Sequence, residues 1–162
     1  DGNNLVDELF DIIGCAWRAS QLRKVCMTEQ DFHAAVDAAV ARWHQDHHGE
    51  PLTSVVFAEA QPAQCHANAA AYATRHGGEV LHGFLVQYPH AWPQVWVMPH
   101  SVVRTGQGLI DVTLSPDELR GLGFFAMETA MTNFVDMAKR FPREIRPVAA
   151  ALLIRMGPDN RL

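Results

Sequence analysis

Three residues whose types cooperate in covalent catalysis follow one another along the chain: Cys65, His100 and Asp111. A cysteine thiolate is a nucleophile, an imidazole takes and returns its proton, and a carboxylate orients the imidazole. Cys65 opens an alanine-rich segment with the composition of a helix. Because a helix N-terminus presents unpaired N–H groups and partial positive charge, a cysteine at that position is biased towards the thiolate. We interpret the three residues as nucleophile, base and orienting group.

The elements that must position these residues follow from the hydrophobic periodicity. A helix is predicted over residues 64–76, ended by the pair Gly77-Gly78. The period then changes to two over residues 79–88, which predicts a central strand. Asn68 lies three residues after Cys65 and therefore on nearly the same helix face, where it either assists the site or holds a neighbouring loop.

A predicted hairpin carries the other two residues. Residues 94–104 and 109–114 are extended and are joined by Thr105-Gly106-Gln107-Gly108, a strong turn signal. A two-residue loop places His100 and Asp111 on one face, as diagonal or directly opposite neighbours according to which residues form the loop. An odd-length loop separates them. The spacing therefore permits the proposed pair and favours it mildly.

The rest of the chain is predicted to be accessory. Helices are expected over residues 4–26, 28–48, 115–118, 125–141 and 144–156, and a short strand or extended segment over residues 53–57. The fold class is therefore α+β, with an antiparallel sheet of three to five strands, the Cys65 helix packed on it and accessory helices at both chain ends. At 162 residues we expect a single domain over residues 1–162, with its core at about 53–116.

Charge and composition exclude several classes of function. The net charge is −5 and the basic residues form no stripe, so we expect no nucleic-acid partner. No apolar run reaches the length of a membrane span, which predicts a soluble protein. The chain begins with Asp1 rather than Met, which indicates a trimmed form or a domain of a longer protein.

Three cysteines cannot all pair within one chain, so reduced thiols and a reducing compartment are expected. Cys15 and Cys26 fall in the helical pattern of residues 4–26. Buried, inert cysteines are the usual interpretation of such positions. Cys65 itself has a competing interpretation as a small structural residue packed among alanines.

Side chains that bind zinc or nickel occur in two groups, His44 with Asp46, His47 and His48, and Cys65 with His66, His82 and His100. Adjacent histidines on a helix point about 100° apart, so the first group is typical of a solvated helix end. The second group lacks the paired ligand spacing of zinc sites. We expect no metal and no cofactor, and interpret His66 and His82 as surface or satisfied core histidines.

A cysteine at a helix start, a histidine on a following strand and an aspartate on the next strand resemble the papain-like and transglutaminase-like superfamily of cysteine hydrolases. The resemblance covers about residues 61–116 and rests on Gln64-Cys65-His66-Ala67-Asn68, Gly83-Phe84-Leu85-Val86, His100-Ser101-Val102-Val103 and Leu109-Ile110-Asp111-Val112-Thr113. These segments are also similar to a group of small bacterial proteins to which no activity is attached. The resemblance implies Cys65 as nucleophile, His100 as base and later acid, and Asp111 as the group that sets the imidazole tautomer.

The resemblance also implies a site for the oxyanion, formed by the Cys65 backbone N–H and a second donor, for which Gln61 and Gln64 are the candidates. The papain pattern has a glutamine six residues before the cysteine, but Glu59 occupies that position here. The second donor is therefore left open. Bacterial relatives imply a bacterial cytoplasm or, for a secreted protein, a host cytosol.

A rival base comes from the same resemblance. Transglutaminases usually have an aromatic residue directly after a His-Ala pair, which His90-Ala91-Trp92 matches. We prefer His100 because His90 lies between two prolines and is twenty-one residues from Asp111. The aromatic-rich loop from Tyr88 to Trp96, which contains Trp92, would form one wall of a narrow slot for the substrate side chain.

The predicted function is cysteine-dependent amide chemistry: glutamine deamidation, amidase activity or transglutaminase-like acyl transfer. The substrate would be a protein or a small-molecule amide. About thirty-five residues separate nucleophile and base, which leaves little chain for the second lobe of a general protease. The alternatives are a cysteine protease and a non-catalytic protein-binding module in which Cys65 is structural.

Overall fold

The structure is a computed structural model that describes residues 26–89, 93–127 and 132–147. In chain order the elements are α1 (Glu29–Gln45), β1 (Leu52–Ser54), α2 (Cys65–His76), β2 (Glu79–Gln87), β3 (Gln94–Thr105), β4 (Gly108–Asp111), α3 (Pro116–Leu119), β5 (Leu122–Ala126), α4 (Phe134–Arg140) and β6 (Glu144–Pro147). These elements form a mixed α+β fold, which confirms the α+β part of the predicted fold class. Of the helices predicted over residues 4–26 and 144–156, residues 4–25 and 148–156 lie outside the described residues.

The sheet is open and mostly antiparallel, with the strand order β1-β4-β3-β2-β5. Only β1 and β4 are parallel, and β6 pairs with β3. The described residues thus form six strands rather than the predicted three to five. Strand β3 organises the sheet because it pairs with β2 along one edge and with both β4 and β6 along the other.

The second edge of β3 has a gap in its pairing. Strand β4 pairs with residues 103–105 and β6 with residues 94–97, so no described strand pairs with this edge at residues 98–102. His100 lies in the middle of this segment. The edge of a sheet is where backbone groups and side chains remain accessible to other elements.

The hairpin forms with the even loop length that the sequence permits. Val103 pairs with Ile110, so the loop is Gly106-Gln107 and Asp111 is the diagonal neighbour of His100. The limits of α2 are also as predicted, since Gly77 ends the helix with a φ of 81°. A positive φ favours glycine at this position.

Helices cover one face of the sheet. On α1, which a Thr28–Asp31 capping box begins, Phe32, Val36 and Trp43 are buried against the sheet. Phe32 contacts Phe84 of β2 edge to face, with ring centroids 5.6 Å apart. Helix α2 packs on the same face near β4, and its buried Ala69 belongs to a cluster with Val103, Ile110 and Val112. The small alanine side chain lets α2 lie close to the strand that carries His100.

Two predicted helices were wrong in part. Residues 122–126 form strand β5, so the helix predicted over residues 125–141 is reduced to α4. Residues 144–147 form β6 instead of starting a helix. The cause is tertiary: Phe124 and Phe125 alternate between the two faces and both are buried, which requires an extended chain paired with β2. Apolar spacing alone does not distinguish such a segment from a helix.

The prediction that Cys26 is buried was also wrong, because the Cys26 side chain is exposed. The chain at this point is the non-helical approach to the Thr28 cap, and Met27 is the residue that enters the core. Cys15 lies outside the described residues.

Gly83 provides a test of the central sheet. A Cβ atom at this position would overlap the Phe125 carbonyl oxygen and lie 2.9 Å from the Ala126 Cα. Since these backbone atoms belong to the paired strand β5, we expect Gly83→Ala to destabilise the protein by roughly 1–3 kcal/mol. The matched change Gly106→Ala meets no atom within 4 Å and should stay within about 0.5 kcal/mol of wild type. Urea denaturation of both variants measures the difference, and equal midpoints would contradict the overlap.

Candidate active site

The turn before α2 presents Cys65 at the first position of the helix. Gln64 is the N-cap and makes no side-chain capping hydrogen bond. Ala63 has a φ of 58°, which costs a non-glycine residue about 1–2 kcal/mol. The N–H groups of the first helical turn have no acceptor within a helix. The start of α2 therefore offers free donors beside a strained turn.

Asn68 holds this turn in place. Its side-chain oxygen accepts a hydrogen bond from the Gln61 N–H at 2.9 Å, and its Nδ2 donates to the Gln61 carbonyl at 2.8 Å. Nδ2 also donates to Thr113 Oγ1 at 3.0 Å. These bonds use the buried Asn68 amide to tie the loop before Cys65 to the segment after β4. Of the two roles predicted for Asn68, the hydrogen bonds support the structural one.

His100 and Asp111 form a buried pair beside the gap in the β3 edge. Their side chains are 6% and 0% exposed, and His100 Nε2 donates a hydrogen bond to Asp111 Oδ2. The other carboxylate oxygen accepts the backbone N–H groups of Thr113 at 2.7 Å and Leu114 at 2.8 Å. Burial acts to raise the pKa of Asp111, but the bonds from His100 and the two N–H groups hold that pKa below its usual range. Asp111 is thus an oriented carboxylate.

The Cys65 thiol is half-buried, and the imidazoles of His100 and His66 lie close enough to stabilise its thiolate form. Since Asp111 occupies Nε2 of His100, the nitrogen left for Cys65 is Nδ1. Burial acts to raise the pKa of Cys65, but the two imidazoles outweigh it and lower the pKa to about 6. Burial likewise acts to lower the pKa of His100, but Asp111 and Cys65 raise it to about 9. Between these values a thiolate faces an imidazolium.

The side chains of the other residues predicted for the site do not join the hydrogen bonds around His100 and Asp111, where the structure describes them. The Gln61 side chain is exposed and donates to the Glu59 carbonyl at 3.3 Å, and Gln64 is exposed. Trp96 lies four residues before His100 on β3, about 13 Å along the strand, and Arg143 stacks on its ring. It therefore lies outside the hydrogen-bonded cluster. His90 and Trp92 are outside the described residues, so their roles stay predictions.

A second hydrogen-bonded group lies next to the thiol, and the sequence interpretation missed it. Ser101 Oγ is 2.7 Å from Nδ1 of His66 and 2.7 Å from Nδ1 of His82. The signal that could have revealed this group is the strand register, because Ser101 and His82 are directly paired across β3 and β2. Phe134 of α4 contacts both rings.

An open cleft of about 450 Å³ adjoins the start of α2. The cleft is lined by residues that precede and follow Cys65 in the chain and by residues of α4, namely Ala63, Gln64, His66, Ala67, Val135 and Lys139. The cleft therefore gives a small molecule or a side chain room to approach the free N–H groups of α2.

Comparison with family models, curated proteins and solved structures gives no match for this chain.

Within residues 26–89, 93–127 and 132–147 no cluster of three or more histidine, cysteine or acidic side chains is arranged to hold a metal ion. No helix in the same part of the chain has the length and apolarity to cross a membrane.

The low pKa of Cys65 is directly testable with iodoacetamide, which reacts with thiolates. We expect the alkylation rate of Cys65 to reach half its maximum near pH 6. In His100→Gln the imidazolium is lost, so the rate at about pH 6.5 should fall roughly 10-fold. Peptide mass mapping separates Cys65 from the exposed Cys26, which provides the comparison within one sample. A half-maximum near the free-thiol value of about 8.5 would contradict the ion pair.

Proposed function

We propose that this protein is a thiol-dependent hydrolase or acyltransferase that acts on an amide. The observation that supports the proposal most is the buried His100–Asp111 hydrogen bond, beside which the His100 imidazole lowers the pKa of Cys65. A structural cysteine needs no such arrangement, because an uncharged thiol packs as a small apolar group. A nucleophile needs all three parts, since its thiolate must persist at neutral pH beside a group that can return the proton.

In the proposed reaction the Cys65 sulfur attacks the amide carbonyl carbon, and a carbon–sulfur bond forms. The C–N bond then breaks, and His100 transfers its proton to the departing nitrogen, which leaves as ammonia or an amine. The Cys65 N–H, at the open start of α2, donates to the developing oxyanion. Water or a second amine attacks the resulting thioester and releases the product. Asp111 keeps His100 in the tautomer that these reaction steps require.

A side-chain amide or a small-molecule amide suits this site better than a polypeptide backbone. Backbone cleavage requires an extended groove on both sides of the scissile bond. The cleft beside Cys65 has about 450 Å³ and is bounded by α2 and α4, which is the size of a single side chain or small ligand. We therefore place deamidation, amidase activity and acyl transfer ahead of proteolysis.

Incubation with a proteome extract tests the proposal. The expected result is conversion of glutamine to glutamate, or incorporation of an added amine, in one or more proteins, detected by peptide mass mapping. Both changes should disappear in Cys65→Ala, which removes the nucleophile, and in His100→Gln they should slow by about 10² to 10⁴.

Cys26→Ala is the matched control, because this exposed cysteine lies outside the hydrogen-bonded cluster and its loss should leave the reaction unchanged. Backbone cleavage that depends on Cys65 would favour a protease instead. If neither proteins nor a panel of small amides changes in a Cys65-dependent way, the protein is not an amide-directed enzyme.

A further inference from the structure

The proposed reaction leaves three polar side chains beside the nucleophile without a role: His66, Ser101 and His82. The Ser101 hydroxyl is 1% exposed and lies 2.7 Å from Nδ1 of each histidine. A hydroxyl has one proton, so it donates to one Nδ1 and accepts from the other. The two imidazoles are thus held with opposite protonation at Nδ1, and a proton can pass between them through Ser101.

His66 is the member of this group that reaches the reacting sulfur. Ser101 occupies its Nδ1, so Nε2 is the nitrogen available to the neighbouring Cys65 thiol, whose pKa the His66 imidazole lowers. His66 also lines the open cleft, whereas His100 is buried and its Nε2 is bonded to Asp111. A molecule that enters through the cleft therefore meets His66 first.

We infer that His66 is a second acid–base residue, which activates the water or amine that resolves the Cys65 acyl-enzyme, while Ser101 and His82 position it. The inference rests on the proposed function and divides the labour between two histidines. His100 serves the attack of the thiolate and the departure of the first amine. His66 serves the second half of the reaction from the solvent side.

The chemical step balances without any cofactor. The oxygen of an incoming water forms a bond to the acyl carbon as its proton moves to Nε2 of His66. The carbon–sulfur bond then breaks and its electron pair returns to Cys65 as the thiolate. The products are a carboxylic acid and a protonated His66, which loses its proton to solvent through the cleft or, by way of Ser101, to His82.

The charged groups around His66 are compatible with this role. Besides Cys65 and His100, they are His82 on β2 and Lys139 on α4, which lines the same cleft, while Asp111 acts through His100. Burial, and then the charge of His66, lower the pKa of His82. His82 is therefore a neutral partner for Ser101 at pH 7, and its ring is held by stacking on Phe134 at 4.9 Å.

The test uses p-nitrophenyl acetate, an activated acyl donor that separates acylation from deacylation and needs no knowledge of the natural amide. The first release of p-nitrophenolate reports acylation of Cys65. Intact-mass measurement then follows the lifetime of the acetyl group on the protein. The assay runs at about pH 8, well above the Cys65 pKa of about 6, so that a modest rise of this pKa in a variant changes the thiolate fraction little.

We expect His66→Gln to keep the first release within about threefold of wild type and to lengthen the acetyl lifetime by ~10²-fold. Ser101→Ala, which removes one oxygen atom, should lengthen the lifetime by about 10-fold with no effect on the first release. His48→Gln changes an exposed histidine after the end of α1 and should change neither measurement.

Four results would overturn the inference. An acetyl lifetime in His66→Gln within twofold of wild type means that another group is the base. An equal slowing of both phases means that His66 only supports the thiolate. If His66→Gln does not fold, an unchanged lifetime in Ser101→Ala decides against the relay. Wild-type protein that is never acetylated on Cys65 contradicts both the inference and the proposed function. The other results contradict the inference alone, so the failure of one can be told from the failure of the other.

Discussion

The buried bond between His100 and Asp111 is the constraint around which the rest of the structure is arranged. A carboxylate with no solvent exposure costs several kcal/mol unless it is paired and hydrogen-bonded. Asp111 meets this requirement with His100 and with the N–H groups of Thr113 and Leu114, which are available because β4 ends at Asp111 and the chain turns. The end of β4 therefore also supplies the hydrogen bonds that stabilise the negative charge of Asp111.

The same feature explains the shape of the sheet. Strand β4 stops pairing with β3 at Val103, and β6 begins only at Val97, so His100 lies at an edge that no described strand covers. An unpaired edge is usually a liability, but here the start of α2 and its thiol lie against it. Asn68 holds this arrangement by joining the loop before α2 to Thr113. The edge of β3, the start of α2 and the loop before it therefore meet at Cys65.

The surroundings of Cys65 differ on its two sides. On one side the imidazole of His100 is buried and held by a carboxylate, which favours a stable positive charge. On the other, His66 is held by the uncharged Ser101 hydroxyl and borders an open cleft. Under the proposed function this asymmetry suits a two-step reaction, in which a proton is delivered in the first step and taken from a new reactant in the second.

The sequence by itself determined the features that depend on neighbouring residues: the α+β class, the start of α2 at Cys65, its end at Gly77, and the position of the hairpin turn, while the register that makes Asp111 the diagonal neighbour of His100 came from the structure. Each of the features determined by the sequence follows from periodicity or turn chemistry within about ten residues. Only the tertiary structure decided that residues 122–126 and 144–147 are strands, that Cys26 is exposed, and that His66, His82 and Ser101 meet. These outcomes depend on which distant segments of the backbone pair with each other. Local spacing does not predict that pairing, because the same apolar pattern can be buried by a helix or by a strand.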